Sequence, residues 1–318
     1  MASALGWFLL GLLLLALGGD SIVTGASGLS RRMGWSPFVV GLVLVALATS
    51  IPELAVNYRA VFAGQSDLAL GNAVGSNIAN VGMTLAIAAL AVPLMLRWRV
   101  LAPLLVMLVV ATIGVILLAL DGRLSVVEGG LLVVAFVVLL AIALRRARSE
   151  DADVRAEIEG FTQTSDVLGL NLLRIAIALA LIGTGAWLVV RDAPRLGEAL
   201  GLTPLMTGLL PVAIGTALPE LAGALAAARR GRGDLVAGHV LGSSLVNLLL
   251  VLGGMALIGG GLAIPDSFVR YELPAALVLA LMLLPILRGD MRISRGEGGA
   301  LFVVFLAWIA FELVLLNG

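Results

Sequence analysis

The chain has 318 residues, of which 61% are apolar and only 13% charged, and it carries a formal net charge of zero. A soluble globular chain averages about 25% charged residues, so most of this one is expected to lie in lipid. There are no cysteines, which excludes disulfides, thiolate metal sites and cysteine nucleophiles. The absence of any basic tract removes nucleic acid as a partner.

Apolar runs long enough to cross a bilayer recur along the whole chain. Ten spans are expected, near 5–27, 37–62, 68–94, 99–120, 124–144, 168–190, 203–229, 235–263, 271–288 and 298–316. The first lacks a basic segment before it, since the first arginine is Arg31, and it therefore reads as a retained span rather than a cleaved leader. The stretch 145–167 is rich in Arg, Asp and Glu without an apolar period, and reads as a solvated linker between residues 1–144 and 168–318.

An internal repeat divides the chain at that linker. Residues 41–80 align with 208–247 without a gap at an offset of 167, with seventeen identities in forty pairs. They include Thr49/Thr216, Pro52/Pro219, Glu53/Glu220, Asp67/Asp234, Gly71/Gly238, Gly75/Gly242, Ser76/Ser243 and Asn80/Asn247. Five spans per half is an odd number, so the halves must enter the membrane from opposite sides. The expected architecture is all-α, ten transmembrane helices in two inverted five-helix repeats. Fourteen arginines, among them Arg31, Arg97, Arg145, Arg229 and Arg292, fall in loops of one face, against Arg59, Arg123, Arg191, Arg195 and Arg270 on the other. That bias marks the first face as cytoplasmic and puts both termini outside the cytoplasm.

The repeated motifs are Ala-Thr-Ser-Ile-Pro-Glu (48–53) with Gly-Asn-Ala-Val-Gly-Ser-Asn-Ile-Ala-Asn (71–80), and Gly-Thr-Ala-Leu-Pro-Glu (215–220) with Gly-His-Val-Leu-Gly-Ser-Ser-Leu-Val-Asn (238–247). Each lies near the middle of a span, where a carboxylate is a functional hypothesis by default. Thr49 shares a helix face with Glu53, as do Thr216 with Glu220, Ser76 with Asn80 and Ser243 with Asn247. Pro52 and Pro219 deprive the carbonyls of Ala48 and Gly215 of their helical donors, and the disturbed helix can also turn the carbonyls of Ala46 and Ala213 inward. The Gly71/Gly75 and Gly238/Gly242 faces allow neighbouring backbones close approach. Carboxylates, hydroxyls, amide oxygens and carbonyls together suit a hard cation such as Ca2+, with two glutamates balancing one divalent ion or two Na+ or H+.

These paired segments resemble the α-repeats of the calcium/cation antiporter superfamily, most closely prokaryotic sodium/calcium exchangers. The resemblance implies antiport of Ca2+ against Na+ with alternating access in a prokaryotic plasma membrane, the first and sixth spans sliding past an eight-helix core. It implies Glu53 and Glu220 as principal calcium ligands, with Thr49, Thr216, Ser76 and Ser243 serving calcium or sodium, and Asn80 and Asn247 completing the ring. No cofactor is implied. Two departures stand out. Ala217 replaces a serine that Ser50 retains in the first motif, and Asn247 stands where some relatives carry Asp, which points to a counter-ion or stoichiometry other than three sodium per calcium. Proton/calcium exchange, exchange that also needs potassium, and a passive channel are the competing transport readings. An enzyme would need a nucleophile–base pair or catalytic metal, and the one histidine, His239, has no matching acid near it in sequence.

Outside the motifs, Asp67 and Asp234 are expected as helix N-caps, Asp20 as a helix-end residue, and Glu128 and Glu312 as interfacial or solvent-paired. His239, one turn before Ser243, reads as a packing residue or a pH sensor. Asn57, Tyr58 and Arg59 suggest an outer vestibule.

Overall fold

The computed structural model describes residues 2–33, 50–147, 164–288 and 291–315. Ten helices run through them: α1 Ala2–Arg32, α2 Ile51–Phe62, α3 Ser66–Ala91, α4 Trp98–Leu118, α5 Val126–Ala147, α6 Leu168–Ala199, α7 Pro204–Arg229, α8 Gly233–Ile258, α9 Leu273–Arg288 and α10 Arg295–Leu315. Among the described residues, nine helices are long and apolar enough to cross a membrane. The tenth expected span is represented by α2, whose preceding residues 34–49 lie outside the described residues.

Four two-residue strands reveal how the halves are related. β1 (Leu94–Met95) and β3 (Leu262–Ala263) follow the third helix of each half, whereas β2 (Arg123–Leu124) and β4 (Arg292–Ile293) precede the fifth. β1 pairs with β4 and β2 with β3, both antiparallel. Exchanging the halves therefore exchanges one sheet for the other. β1 and β2 sit at opposite ends of α4, whose 21 residues rise about 30 Å, so the two sheets lie on opposite membrane faces. The axis relating the halves must lie in the membrane plane, which is the inverted repeat.

Two helices exceed the spans expected for them. α1 extends to Arg32 and α6 to Ala199 because each lies chiefly on the other. Their contacts run in opposite chain directions, Gly11 meeting Gly185 and Gly18 meeting Ile182, with no side chain to hold the backbones apart. Asp20 is consequently an exposed residue within a helix and not at its end. At one end of the pair, the Arg191 guanidinium lies 4.5 Å from the Trp187 ring centroid and 5.5 Å from that of Trp7. Arg191 and Arg195 also pair with the buried Asp192.

The inner helices are α3 and α8, with 89% and 78% of their spans buried, as expected of a core wrapped by the others. α5 and α10 begin with matched capping boxes, in which Ser125 and Ser294 donate backbone and hydroxyl hydrogens to Glu128 and Glu297. Glu128 thus has a repeat counterpart, shifted by two residues from the main offset, and its work is capping. Asp67 and Asp234 lie inside the first turns of α3 and α8 and cap neither. Asp234 instead accepts from the Arg97 backbone at 2.6 Å and pairs with its guanidinium. Glu312 is buried, as is Glu272, beside the edge-to-face contact of Tyr271 with Phe311, so the interfacial expectation for it fails.

Candidate cation site

α2, α3, α7 and α8 carry the repeated motifs, and the fold brings them together. The closest approach is between α3 and the start of α7. A Cβ at Gly71 would overlap the Leu205 carbonyl oxygen, and one at Gly208 would overlap that of Leu68, so only glycine permits this crossing. Gly75 meets Leu209 and Ala213 in the same way, as the sequence predicts. The residues that would oppose Gly238 and Gly242 under the two-fold, near 38–46, lie outside the described residues.

Three of these helices contain a π-helical segment. Those in α3 (Asn80–Leu85) and α8 (Val246–Val251) occupy equivalent places and start at or beside Asn80 and Asn247. The one in α7 (Gly208–Val212) accommodates Pro211, which has no N–H to give the Thr207 carbonyl the usual α-helical bond. Single π turns inside α-helices concentrate at functional sites because they redirect side chains and loosen the backbone ladder. The sequence carries no local signal for them apart from Pro211. Pro219 lies within α7, which continues through it, and the Gly215 carbonyl is the one relieved of its donor.

Nine of the eleven sequence-predicted residues can be placed. Ser50, Glu53, Ser76, Asn80, Ala213, Thr216, Glu220, Ser243 and Asn247 are all buried, whereas Ala46 and Thr49 lie outside the described residues. Ser243 is the hub. It donates to Glu220 Oε1 at 2.9 Å, receives Asn80 Nδ2 at 3.2 Å and lies 3.1 Å from Ser50 Oγ. One serine thereby ties helices α2, α3, α7 and α8 together. Thr216 donates to the Ala213 carbonyl at 3.2 Å, which places that oxygen beside the motif. Glu53 and Glu220 are both buried, with Glu220 and the Thr216 hydroxyl in the neighbourhood of Glu53 and the Ser243 hydroxyl on Glu220. Among the described residues Asn80 Oδ1 and both polar atoms of Asn247 are buried without a hydrogen-bond partner. Buried polar atoms in a native protein are nearly always satisfied, so these amide oxygens stand out on the helices that carry Glu53 and Glu220 or pack beside them. Among the described residues no three acidic, thiol or imidazole groups gather as a metal cluster, and the buried acids of these four helices are Glu53 and Glu220.

Ala217 is buried where Ser50 has its hydroxyl, so the second half offers no counterpart to the Ser50–Ser243 contact. His239 Nε2 stands 4.0 Å from Glu220 Oε1. Asn57 is fully buried and receives Asn72 Nδ2 at 3.0 Å, while Tyr58 donates to the Leu250 carbonyl at 3.1 Å. Asn57 thus belongs to the packed interior, whereas Tyr58 is half-buried. Asn77, Thr84 and Ser244, buried with unpartnered side-chain atoms, escape the sequence reading because small polar residues are common in membrane helices without being ligands.

The arrangement matches one family along nearly its full length. The profile described as Sodium/calcium exchanger protein covers residues 3–145 and 170–314. The chain belongs to the sodium/calcium exchanger protein family. It is 32% identical to the Inner membrane protein YrbG of Escherichia coli (strain K12), covering 98% of this chain and 97% of that one. It is 29% identical to the Sodium/calcium exchanger MaX1 of Methanosarcina acetivorans, covering 95% and 96%. A solved structure of the sodium-calcium exchanger NCX_Mj, soaked with Na+ and Sr2+, superposes with a TM-score of 0.65 at 27% identity over 97% of this chain and 98% of that one. The protein is therefore an integral, multi-pass membrane member of a family of cation antiporters.

Proposed function

We propose that the protein exchanges Ca2+ for Na+ by alternating access at the site between Glu53 and Glu220. What supports this reading is a pair of buried carboxylates at equivalent positions of the inverted repeat, with the Ser243 hydroxyl hydrogen-bonded to Glu220 and to Asn80. Two negative charges are balanced by one Ca2+ or by two Na+, so the two ions compete for one charge requirement and exclude each other. Glu53, Glu220, Thr49 and Thr216 hold calcium. Ser50, Ser76, Ser243, Asn80, Asn247 and the carbonyls of Ala46 and Ala213 complete the oxygen set that serves calcium or sodium.

Access follows from the packing of α1 and α6. These two helices pack chiefly on each other and lie across α2 and α7, with the Leu12 side chain against Gly215. Sliding of the pair would uncover the site from one face and then the other, while α2, α3, α7 and α8 keep the ligands in place. On this reading the arginine-rich face is cytoplasmic and both termini lie outside, in a prokaryotic plasma membrane.

Asn247 favours a second reading, H+/Ca2+ exchange, because a neutral amide at that position supplies no third charge for a third monovalent ion. The test is calcium uptake into proteoliposomes under a sodium gradient or a proton gradient, with Glu220→Gln as control. Sodium-driven uptake abolished by the substitution is expected. Uptake driven only by protons would replace Na+ with H+ as the counter-ion, and unitary conductance steps in a bilayer would make the protein a channel.

A further inference from the structure

Ser76 and Ser243 occupy equivalent positions in the two halves, yet their hydrogen bonds differ. Ser243 gives its proton to Glu220 and also takes one from Asn80. Among the described residues Ser76 donates to Asn72 Oδ1 at 3.5 Å and accepts no hydrogen bond. Asn72 in turn donates its Nδ2 to Asn57 Oδ1 at 3.0 Å. Asn57 and Asn72 stand one helical turn from Glu53 and Ser76, and both are fully buried. Their repeat counterparts are Ala224 and His239, so this chain of contacts exists only in the first half.

A serine hydroxyl has one proton and two lone pairs, and a cation needs a lone pair. A serine can therefore serve as a ligand only if its proton has an acceptor away from the ion. Asn72 supplies that acceptor only while its carbonyl oxygen, and not its NH2 group, is turned to Ser76. The reverse orientation would make Asn72 the donor and occupy a lone pair of Ser76. Asn57 decides between the two, because its Oδ1 accepts from the Asn72 NH2 and holds the amide in the useful orientation. Among the described residues Asn57 Nδ2 has no partner in this buried place, an arrangement that costs stability and that a small apolar residue would avoid. The long 3.5 Å contact tightens when a cation on Ser76 Oγ polarises the hydroxyl and makes it a better donor.

We propose that Asn57 is a positioning residue for transport: through Asn72 it turns the proton of Ser76 away from the site, so that Ser76 Oγ presents its lone pairs to the bound Ca2+ or Na+. This rests on the reading of Ser76 as a cation ligand. The test is a double-substitution cycle with Asn57→Leu and Ser76→Ala, measured as half-saturating Ca2+ in sodium-loaded proteoliposomes. Asn57→Leu should raise that concentration roughly threefold to tenfold, the worth of one hydrogen bond, and should add nothing further in the Ser76→Ala protein. Equal effects in the two backgrounds would mean that Asn57 only packs, and would overturn the inference. So would an unchanged half-saturation. Should Asn57→Leu fail to insert, Asn57→Asp keeps an acceptor for Asn72 and should bind Ca2+ at least as tightly as the parent; weaker binding would again refute it. Glu53→Gln separates this failure from a failure of the site itself. Uptake surviving Glu53→Gln would move the cation elsewhere and remove the basis for both.

Discussion

Replacing each glutamate by glutamine in turn should improve the protein in one respect while disabling it in another. Glu53 and Glu220 are both buried and lie near one another, so holding both ionised without a cation is unfavourable. Two neighbouring unit charges at the effective dielectric of a protein repel by about 2–4 kcal/mol. Glu53→Gln removes that repulsion, so in alkaline buffer containing neither Ca2+ nor Na+, where both carboxyls of the parent are ionised, the variant should unfold at a higher temperature than the parent. The same change leaves a bound divalent ion with one uncompensated charge, and breaking a buried ion pair costs about 3–5 kcal/mol. Calcium affinity should therefore fall by at least about a hundredfold, and the rise in melting temperature on adding millimolar Ca2+ should vanish. Glu220→Gln should lose affinity by roughly a further fivefold, because Glu220 also takes the Ser243 hydrogen bond and a neutral acceptor holds it about 1 kcal/mol less strongly. Detergent-solubilised protein followed by tryptophan or dye fluorescence, together with calcium uptake in proteoliposomes, gives both readouts. A Glu53→Gln protein that is less stable without ions, or that keeps its calcium-induced shift, would show that the glutamates are a structural tie between helices and would refute the reasoning.

Three further outcomes are expected. Asn247→Asp adds a third carboxyl to the site, so the parent's reversal potential should differ from that of three sodium per calcium and the variant's should move toward it; a parent already at three-for-one would contradict the role given to Asn247. Gly71→Ala should destabilise the protein by more than about 3 kcal/mol, since its methyl would overlap the Leu205 carbonyl where two backbones cross, and size-exclusion profiles and thermal unfolding would record the loss. Arg191→Ala removes a guanidinium from two tryptophan rings and from the buried Asp192, and should cost about 2 kcal/mol of stability while leaving half-saturating Ca2+ near its parent value.

Composition and the repeat at offset 167 were enough to place this chain in the membrane, to invert its halves and to select nine residues that the structure buries around the motifs. They suffice because lipid tolerates Glu, Asn and Pro in mid-span only for a reason, so each duplicated polar residue is informative by itself. Helix ends were less legible. α1 and α6 outrun their hydropathy because packing against a partner helix, and not lipid alone, decides where a helix stops. Asp234 and Glu128 were misread since the choice between cap, ion pair and solvent depends on which loop comes alongside. The direction of each hydrogen bond was hidden altogether. Ser76 and Ser243 align in the repeat, and the hydrogen bonds differ because Asn72, one turn before Ser76, is matched by His239 and because Glu220 and Asn80 come alongside Ser243 from other helices. A duplicated sequence fixes which groups meet at the midplane, but the donors and acceptors around them come from helices far apart in the chain.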